Sequence, residues 1–254
     1  FYGFRLFDSR ADFSLSSEAF RLTDVDVMIG STSYGKAQGE IRFNDNVDYT
    51  FTGQPDKLRL MDLLSALKVD FEVIDTAITS PDLTITGQGK PFSLKVRATG
   101  DFADFDMPAT PYPKERIPQS PTCRLLVQMN VNGEGLDFGK SGGKCFVSSK
   151  ESTIKSGSTQ PPQDAEAVSD IKFRGGVTFD AEKGMDLSIF NDQLNAQVAE
   201  FFAQIPLTGQ GAGKTRIHGP YSGILVDSEL QFVDLTAFDV PLGEVLSLIH
   251  ISEP

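Results

Sequence analysis

The sequence predicts a mainly β fold that contains two short amphipathic helices. Over most of the chain, apolar and polar residues alternate with the two-residue period of a strand that has one apolar and one solvated face. Segments rich in Gly, Asn, Asp and Pro separate these stretches, and such residues are typical of turns. The apolar period changes to that of a helix in two places only, so we expect an antiparallel sheet to form most of the protein.

Residues 1–54 predict a four-stranded β-meander. The alternating stretches lie near 11–15, 25–29, 37–43 and 47–51. Turn-forming residues separate them, and their apolar members fit one face of a sheet. Further strands are predicted at 71–74, 83–85, 92–98, 177–179 and 185–189. The same pattern therefore continues through most of the chain.

Two segments carry apolar residues at helical spacing. The first lies near 60–68, with Leu60, Leu63, Leu64 and Leu67 on one side, and we interpret it as a helix that covers an open end of the sheet. The second lies near 192–204, and its apolar stripe consists of Leu194, Val198, Phe201, Phe202 and Ile205.

The segment 208–243 combines all of these signals. It begins with a predicted Gly-rich turn, crosses a strand, turns at Gly219-Pro220 and Ser222-Gly223, and continues as a long alternating strand. The tetrapeptide Thr-Gly-Gln-Gly at 208–211 also occurs at 86–89. The order of strands, helix, Gly-rich turn and strands thus occurs twice, which is typical of architectures that grow by stacking.

Residues 103–169 are predicted to be an insertion between two β units, 1–102 and 170–245. Five prolines between residues 101 and 122 predict a segment that cannot pair as a central strand. A strand near 125–131 and a return near 136–138 predict a hairpin that turns at Asn132-Gly133. Residues 150–169 are rich in Ser, Gly, Gln and Pro and predict a mobile loop.

Cys123 and Cys145 flank this hairpin and are the only cysteines of the chain. A metal site needs about four ligands, and a thiol nucleophile needs a base, but the sequence supplies neither nearby. We therefore predict a disulfide that closes a loop of about 23 residues and contributes about 3 kcal/mol, with two buried thiols as the alternative. A disulfide would indicate an oxidising compartment.

Composition and motifs argue against several functions. A net charge of −12 disfavours a nucleic-acid surface, and no apolar run approaches the length of a membrane span. No Gly-x-Ser-x-Gly motif or paired histidine is present, so we predict no enzyme, cofactor or metal. Asp24 with Asp26, and Asp104 with Asp106, are expected to share a strand face as solvated acids, and His218 is expected to be a surface residue.

Two segments resemble the end of a nucleotide-binding P-loop, Gly213-Lys214-Thr215 and Gly139-Lys140-Ser141. The motif requires another glycine five residues before Gly213 or Gly139. Those positions are Thr208 and Glu134. A helix must also follow the motif, and Pro220 disfavours one after 213–215. We predict that the chain binds no nucleotide.

The apolar faces pose the main functional question. The chain has 20 Phe and no Trp, and two short helices offer limited cover for ten or so strands. Such a face can be covered by a closed sandwich or jelly roll, or it can bind an apolar ligand. The residue pattern leaves these alternatives open.

The segment 208–243 resembles the repeated unit of the AsmA-like family, in particular its TamB-type members from Gram-negative cell envelopes. The resemblance rests on Gly211 and Gly213, Ile217, Gly219-Pro220-Tyr221, the strand 225–230 and the phrase Ala-Phe-Asp-Val-Pro-Leu-Gly at 237–243. At lower similarity it covers about 11–102 and 170–243. It implies an elongated, strongly twisted antiparallel sheet that is curled into an open apolar groove.

The resemblance also implies a function, which is to conduct phospholipid acyl chains between the inner and outer membranes without catalysis. The expected location is the periplasm, in a parent protein anchored in the inner membrane. The expected lipid-contacting residues are Phe13, Leu15, Val27, Ile41, Phe43, Leu94, Val96, Val177, Phe179, Leu187, Val226, Leu230 and Phe232.

Two other functions are also compatible with the sequence. One is a scaffold whose sheet edges dock an outer-membrane β-barrel assembly protein by strand addition. The other is a carbohydrate-binding or surface-binding module, which the absence of Trp disfavours.

We expect the chain to be a segment of a longer protein that contacts membranes through other parts. Its last nine residues, LSLIHISEP at 246–254, resemble a translated sequencing adapter. We therefore expect these residues, including His250, to have no function in the natural protein.

Overall fold

The computed structural model describes residues 10–29, 32–62, 75–106, 120–147, 156–203 and 205–252. The predicted mainly β class is confirmed in these ranges. The strands are β1 (Arg10–Leu15), β2 (Ala19–Ile29), β3 (Thr32–Arg42), β4 (Asp48–Pro55), β5 (Leu58–Arg59), β6 (Asp75–Gly89), β7 (Phe92–Asp106), β8 (Thr122–Asn132), β9 (Gly135–Val147), β10 (Ala167–Thr178), β11 (Met185–Asn195), β12 (Leu207–Gly219), β13 (Leu225–Ala237) and β14 (Val240–Ser252). The helix α1 (Ala196–Ala203) lies between β11 and β12.

All fourteen strands belong to one antiparallel sheet. The strand order follows the chain from β1 to β14, except that β5 pairs only with β6. Sequential neighbours are therefore neighbours in space, as expected when antiparallel strands are joined by short turns. Within the described ranges the order runs from β1 to β14 without closing into a barrel.

The chain divides into two compact units. Unit 1 contains the described residues up to 106 together with 126–132 and 156–158. Unit 2 contains the described residues 120–125, 133–147 and 159–252. The strand β8 contributes residues to both units, and the proposed division at 102 and 169 stays a prediction.

The meander 1–54 is confirmed by β1 to β4, and the hairpin around Asn132-Gly133 by β8 and β9. The turn between β12 and β13 also lies where Gly219-Pro220 predicts it, and Gly219 has φ +112°. Residues 60–62 are helical, at the start of the first predicted helix. The rest of that helix and the predicted strand 71–74 lie outside the described residues.

The predicted Gly-rich turns at 86–89 and 208–213 are wrong. Residues 86–88 pair with both β4 and β7 inside the sheet, and 210–213 pair with β13. Glycine is disfavoured in a strand because it has no side chain to pack, but it is accepted where a large neighbour approaches closely. Such neighbours lie opposite Gly87, Gly211 and Gly213.

Parts of the predicted insertion are also strand. Residues 101–106 continue β7 and pair with β6, although we predicted no central pairing after residue 101. The prolines at 108–118 lie outside the described residues, and Pro121 directly precedes β8. The predicted mobile loop ends earlier than expected, because β10 begins at Ala167 and Ser169 is 1% exposed.

The second helix is shorter than predicted. Leu194 belongs to β11, and α1 begins at Ala196. The Asn195 side chain accepts a hydrogen bond from the Gln197 backbone N–H at 3.0 Å, which is the N-cap interaction that starts a helix. Pro206 follows shortly after the helix and is compatible with its end.

Candidate functional site

In unit 1 the apolar residues of six strands occupy one side of the sheet, here called apolar face 1. Residues that pair directly across antiparallel strands point to the same side. Three rows of paired residues cross the strands. They are Leu15, Phe20, Ile41, Tyr49, Gly87 and Leu94; then Phe13, Leu22, Gly39, Phe51, Ile85 and Val96; then Val25, Ala37, Gly53, Leu83 and Ala98. The opposite side, polar face 1, carries Arg, Lys, Glu, Gln and Thr.

Unit 2 has the same division. Its apolar face 2 contains rows that cross the strands from β9 to β13. They are Leu136, Val177 and Met185; Phe138, Gly175, Leu187, Ile217 and Val226; and Ser141, Phe173, Ile189, Thr215 and Ser228, followed by Leu194, Gly211 and Phe232. Phe138 and Phe173 meet edge to face with ring centroids 5.3 Å apart.

The helix α1 covers one end of apolar face 2 and leaves the other end less covered. Ala196 packs with Phe232 and Leu235, which are 8% exposed, and Leu194, Leu207, Leu230 and Val245 complete this cluster. Val198 and Phe201 of the helix are 4% exposed. Towards the opposite strand ends, Val177, Leu187 and Val226 are only half-buried. Part of the face therefore remains accessible to an apolar ligand.

The structure brings most of the predicted lipid-contacting residues onto these two faces. Apolar face 1 contains Phe13, Leu15, Ile41, Leu94 and Val96, and apolar face 2 contains Val177, Leu187, Val226, Leu230 and Phe232. Phe43 and Phe179 lie just beyond the ends of β3 and β10 and are 48% and 64% exposed. Val27 pairs with Gly35 in the sheet, but its side chain lies outside the described part.

Several glycines belong to these faces; the alternation in the sequence placed Gly39 there, but Gly87, Gly211 and Gly213 were predicted to lie in turns. Gly39 pairs with Phe51, and a Cβ at Gly39 would lie 2.0 Å from the Phe51 ring. Gly213 pairs with Leu230, where the corresponding distance is 2.4 Å. The large side chain thus lies over the neighbouring strand, an arrangement known to stabilise glycine in sheets. The signal in the sequence is a glycine that replaces an apolar residue in an alternating stretch.

One polar pair interrupts apolar face 2. The Thr215 and Ser228 hydroxyls are 2.8 Å apart and hydrogen-bond to each other across β12 and β13. Because each hydroxyl satisfies the other, the pair costs less on an apolar surface than two unpaired hydroxyls would. Tyr49 on apolar face 1 is similar, since its hydroxyl donates to the Ser93 carbonyl at 2.6 Å.

Ion pairs cover the polar faces. Arg216 donates two hydrogen bonds to Asp186, at 2.8 and 2.7 Å, and these bonds lower the pKa of the Asp186 carboxyl. His218 lies 2.8 Å from Asp227 on the same side, and Lys214 lies over the Phe190 ring. The predicted surface position of His218 is only partly correct, because 22% of its side chain is exposed.

The paired carboxylates lie at irregular strand positions, so the expectation that the members of each pair share a face stays a prediction. Asp24 and Asp104 have φ of 48° and 50°, and both lie where the strands are irregular. At Asp24 the register of β2 shifts against β3 between Leu22 and Val25. An extra residue in a strand breaks the alternation of its side chains, and Asp tolerates the left-handed conformation better than most residues.

Polar face 1 contains a recess of about 600 Å³. Its lining includes Arg21, Gln38, Glu40, Arg42 and three threonines, Thr50, Thr52 and Thr86. The recess therefore lies on the side opposite apolar face 1. It is suited to a polar ligand and is unrelated to the predicted lipid-contacting residues.

Cys123 and Cys145 form the predicted disulfide, which joins β8 to β9 within unit 2. Both cysteines are 5% exposed. Beside them, a Cβ at Gly143 would lie 2.0 Å from the Arg124 carbonyl oxygen, so the two strands approach closely. The prediction of a disulfide is confirmed.

Neither P-loop-like segment starts a helix. Gly213-Lys214-Thr215 lies within β12 and Gly139-Lys140-Ser141 within β9. Among the described residues, no group of three His, Cys, Asp or Glu side chains is arranged to hold a metal ion. No helix within the described ranges has the length and apolar character needed to cross a bilayer.

Comparisons of the chain with protein-family models, with curated proteins and with solved structures found no match.

Proposed function

We propose that this chain is a segment of an AsmA-like, TamB-type cell-envelope protein that binds and conducts phospholipid acyl chains without a catalytic step. One observation carries the proposal: each unit has an apolar face whose rows cross several strands and whose side chains are largely half-buried. Exposed apolar areas of this extent are typical of interaction sites.

The orientation of the rows suits an acyl chain. Each row runs across the strands, in the direction in which the sheet grows, so a chain lying along it would meet one apolar side chain after another. Each CH₂ group removed from water contributes about 0.8 kcal/mol. The hydroxyls of Thr215 and Ser228 satisfy each other and would present a small polar barrier.

We further propose that the sheet is strongly twisted and curls into an open apolar groove. Antiparallel sheets twist in a fixed direction, and bulges increase the local twist. Register shifts occur between β1 and β2, β2 and β3, β6 and β7, β9 and β10, β11 and β12, β12 and β13, and β13 and β14. These irregularities support a curved sheet.

The confirmed disulfide supports a location in an oxidising compartment. We propose the periplasm of a Gram-negative bacterium, with the parent protein anchored in the inner membrane. Phospholipid would be the partner there, because it forms the leaflets of both membranes that face the periplasm.

The proposal is tested by crosslinking to a photoactivatable phospholipid, combined with native mass spectrometry of the gently purified protein. Val226→Glu places a carboxylate on the less covered end of apolar face 2, away from the α1 cluster. We expect crosslinking and co-purified phospholipid to fall by about tenfold or more, because burying the carboxylate against an acyl chain is costly.

Gln231→Glu is the matched control. It introduces the same carboxylate on the same strand, but on the exposed opposite face. The control should bind lipid as the parent does, and both variants should keep the parent's circular dichroism spectrum. Equal lipid binding by the parent and Val226→Glu, or a folded parent that carries no lipid, would contradict the proposal.

The scaffold alternative is favoured by one observation. Among the described residues β1 pairs only with β2, and all six of its residues are exposed, which would suit strand addition along its other edge. Ser14→Pro should weaken docking to an outer-membrane β-barrel assembly protein if this edge is used, since proline removes a backbone donor. That variant should leave lipid crosslinking at Val226 unchanged.

A further inference from the structure

Polar face 1 carries an ordered array of side chains that the lipid proposal does not use. Two rows cross it from β3 to β7. The first is Glu40, Thr50, Thr86 and Lys95, and the second is Gln38, Thr52, Thr84 and Arg97. Arg21 pairs with Glu40 and extends the first row onto β2. Threonines thus form the centre of the array, and cationic side chains lie on both sides of it.

Two arginines are oriented by one carboxylate at the edge of the recess. Arg21 donates from Nε to Glu40 Oε2 at 2.9 Å, and Arg42 donates from Nε to Glu40 Oε1 at 2.6 Å. Both bonds use Nε, and in the described part of the chain the terminal Nη groups of the two arginines make no hydrogen bond. Those groups are therefore available to an external acceptor.

The carboxylates of this recess are already engaged. The hydrogen bonds from Arg42 and Arg21 lower the pKa of Glu40, which keeps it ionised and paired with both guanidinium groups. Asp48 accepts a hydrogen bond from the Asn44 amide at 2.6 Å. Asp48 also lines the recess and acts electrostatically on Arg42, so the two arginines balance the charges of Glu40 and Asp48. The recess therefore offers an anion the unbonded Nη groups of Arg21 and Arg42 rather than a net positive charge.

The threonine hydroxyls of this array have no hydrogen-bond partner in the part of the chain that the structure describes. Among the described residues, Thr50, Thr52, Thr84 and Thr86 make no side-chain hydrogen bond. Each hydroxyl can both donate and accept a hydrogen bond, so the four form a patch suited to the hydroxyl groups of a ligand. The recess of about 600 Å³ falls within the range of small-molecule sites.

We propose that this recess binds a phosphate-bearing polyol, with the phosphate on the Nη groups of Arg21 and Arg42 and the ligand hydroxyls on the threonines. Guanidinium groups match the geometry of phosphate oxygens and bind them in pairs. Tyr49 also borders the recess, but its row lies on apolar face 1. Charge and hydrogen bonds, rather than stacking on an aromatic ring, therefore hold the ligand.

The test is isothermal titration of the full chain with glycerol 3-phosphate and with glucose 6-phosphate. We expect saturable binding that weakens about tenfold or more in Arg21→Gln and in Arg42→Gln, as expected for the loss of a charged hydrogen bond. Arg174→Gln is the control, because Arg174 is an exposed arginine of unit 2. It should bind as the parent does.

A double variant distinguishes the role of the threonines from that of the arginines. Thr50→Val combined with Thr86→Val should weaken binding of glucose 6-phosphate but leave binding of inorganic phosphate unchanged. Equal affinity of the parent for inorganic phosphate and both polyol phosphates would overturn the role of the threonines. Absence of binding, or binding that both Arg21→Gln and Arg42→Gln retain, would overturn the site.

The phosphate could also belong to a lipid headgroup, and vesicles distinguish this source. If the ligand is a soluble polyol phosphate, the parent and Arg21→Gln should bind vesicles of phosphatidylglycerol in phosphatidylcholine equally. Arginine-dependent binding to these vesicles, without binding to the soluble phosphates, would overturn the soluble ligand in favour of a membrane-bound headgroup.

Discussion

At the scale of single residues, the pairing of glycine with a large side chain explains several strand positions that look like turns. Gly39, Gly87, Gly211 and Gly213 lie opposite Phe51, Tyr49, Phe232 and Leu230. The space above each glycine is filled by its partner. These glycines are therefore packing residues rather than hinges.

Replacing one of them tests this interpretation. In Gly39→Ala the new Cβ would overlap the Phe51 ring, so we expect the free energy of unfolding to fall by about 1–3 kcal/mol, as for an overpacked site. Chemical denaturation measures the loss. Gly133→Ala is the control, because no heavy atom lies within 4 Å of a Cβ there, and its stability should change by less than about 0.5 kcal/mol. A similar stability for both variants would argue against close packing at Gly39.

Aspartate has a comparable role at the irregular positions of the strands. Asp24, Asp104 and Asp234 have φ between 48° and 53° inside segments that otherwise read as strand. Phe232 and Leu235 are three positions apart, so the regular alternation of a strand would place them on opposite faces. The irregular position around Asp234 in β13 brings both side chains into the α1 cluster. Local alternation alone does not predict such a switch.

At the scale of elements, the disulfide fixes β8 to β9 close to the strand ends that α1 covers. Its sequence separation is 22 residues. Replacing both cysteines by alanine should lower the free energy of unfolding by about 3 kcal/mol, mainly because the unfolded chain gains freedom. Thermal denaturation with and without reductant provides the measurement. Reductant should lower the Tm of the parent and leave the double variant unchanged, and an unaffected parent would contradict a stabilising disulfide.

The helix α1 contains a glutamate whose ionisation opposes folding. Partial burial raises the pKa of Glu200 above its ordinary value. The neutral carboxyl is therefore the form that favours folding. Its contribution to stability is fully present at pH values below the pKa of Glu200 in the unfolded chain, near 4.3, and is lost as the pH rises through the higher pKa of the folded state. The charged form is the less favourable one at neutral pH.

Glu200→Gln should remove that pH dependence. At pH 7 we expect the Tm of the variant to exceed that of the parent by at most about 2–4 °C, the shift that 1 kcal/mol gives in a chain of this size. Near pH 4 the two proteins should have closely similar Tm values. A constant difference from pH 4 to pH 7 would instead indicate an effect on helix propensity or packing.

At the scale of the whole molecule, separation of apolar and polar faces is the feature on which both proposals depend. The lipid proposal uses the two apolar faces, and the polyol phosphate proposal uses polar face 1. Val226 belongs to apolar face 2 and Arg21 to polar face 1, in different units, so each substitution should leave the other activity unchanged. The failure of one proposal would not decide the other.

Much of this arrangement could be predicted from the sequence, because a period of two residues directly determines which side chains share a face of a strand. The alternation in 225–232 and in 11–15 predicted both the strands and their apolar faces, and the two cysteines predicted their disulfide. The polar recess was not predicted. Its arginines and threonines belong to separate strands, and they come together only through the register of β2, β3, β4 and β6.

The sequence by itself determined the mainly β class, the positions of most strands and the separation of polar from apolar side chains, since these depend on short-range periodicity and turn chemistry. Only the tertiary structure decided that the Gly-rich segments are strands, that α1 covers one end of apolar face 2, and that an array of arginines and threonines forms on polar face 1. Each of these depends on which residues lie opposite one another across neighbouring strands, and cross-strand register is a long-range property that no local pattern contains.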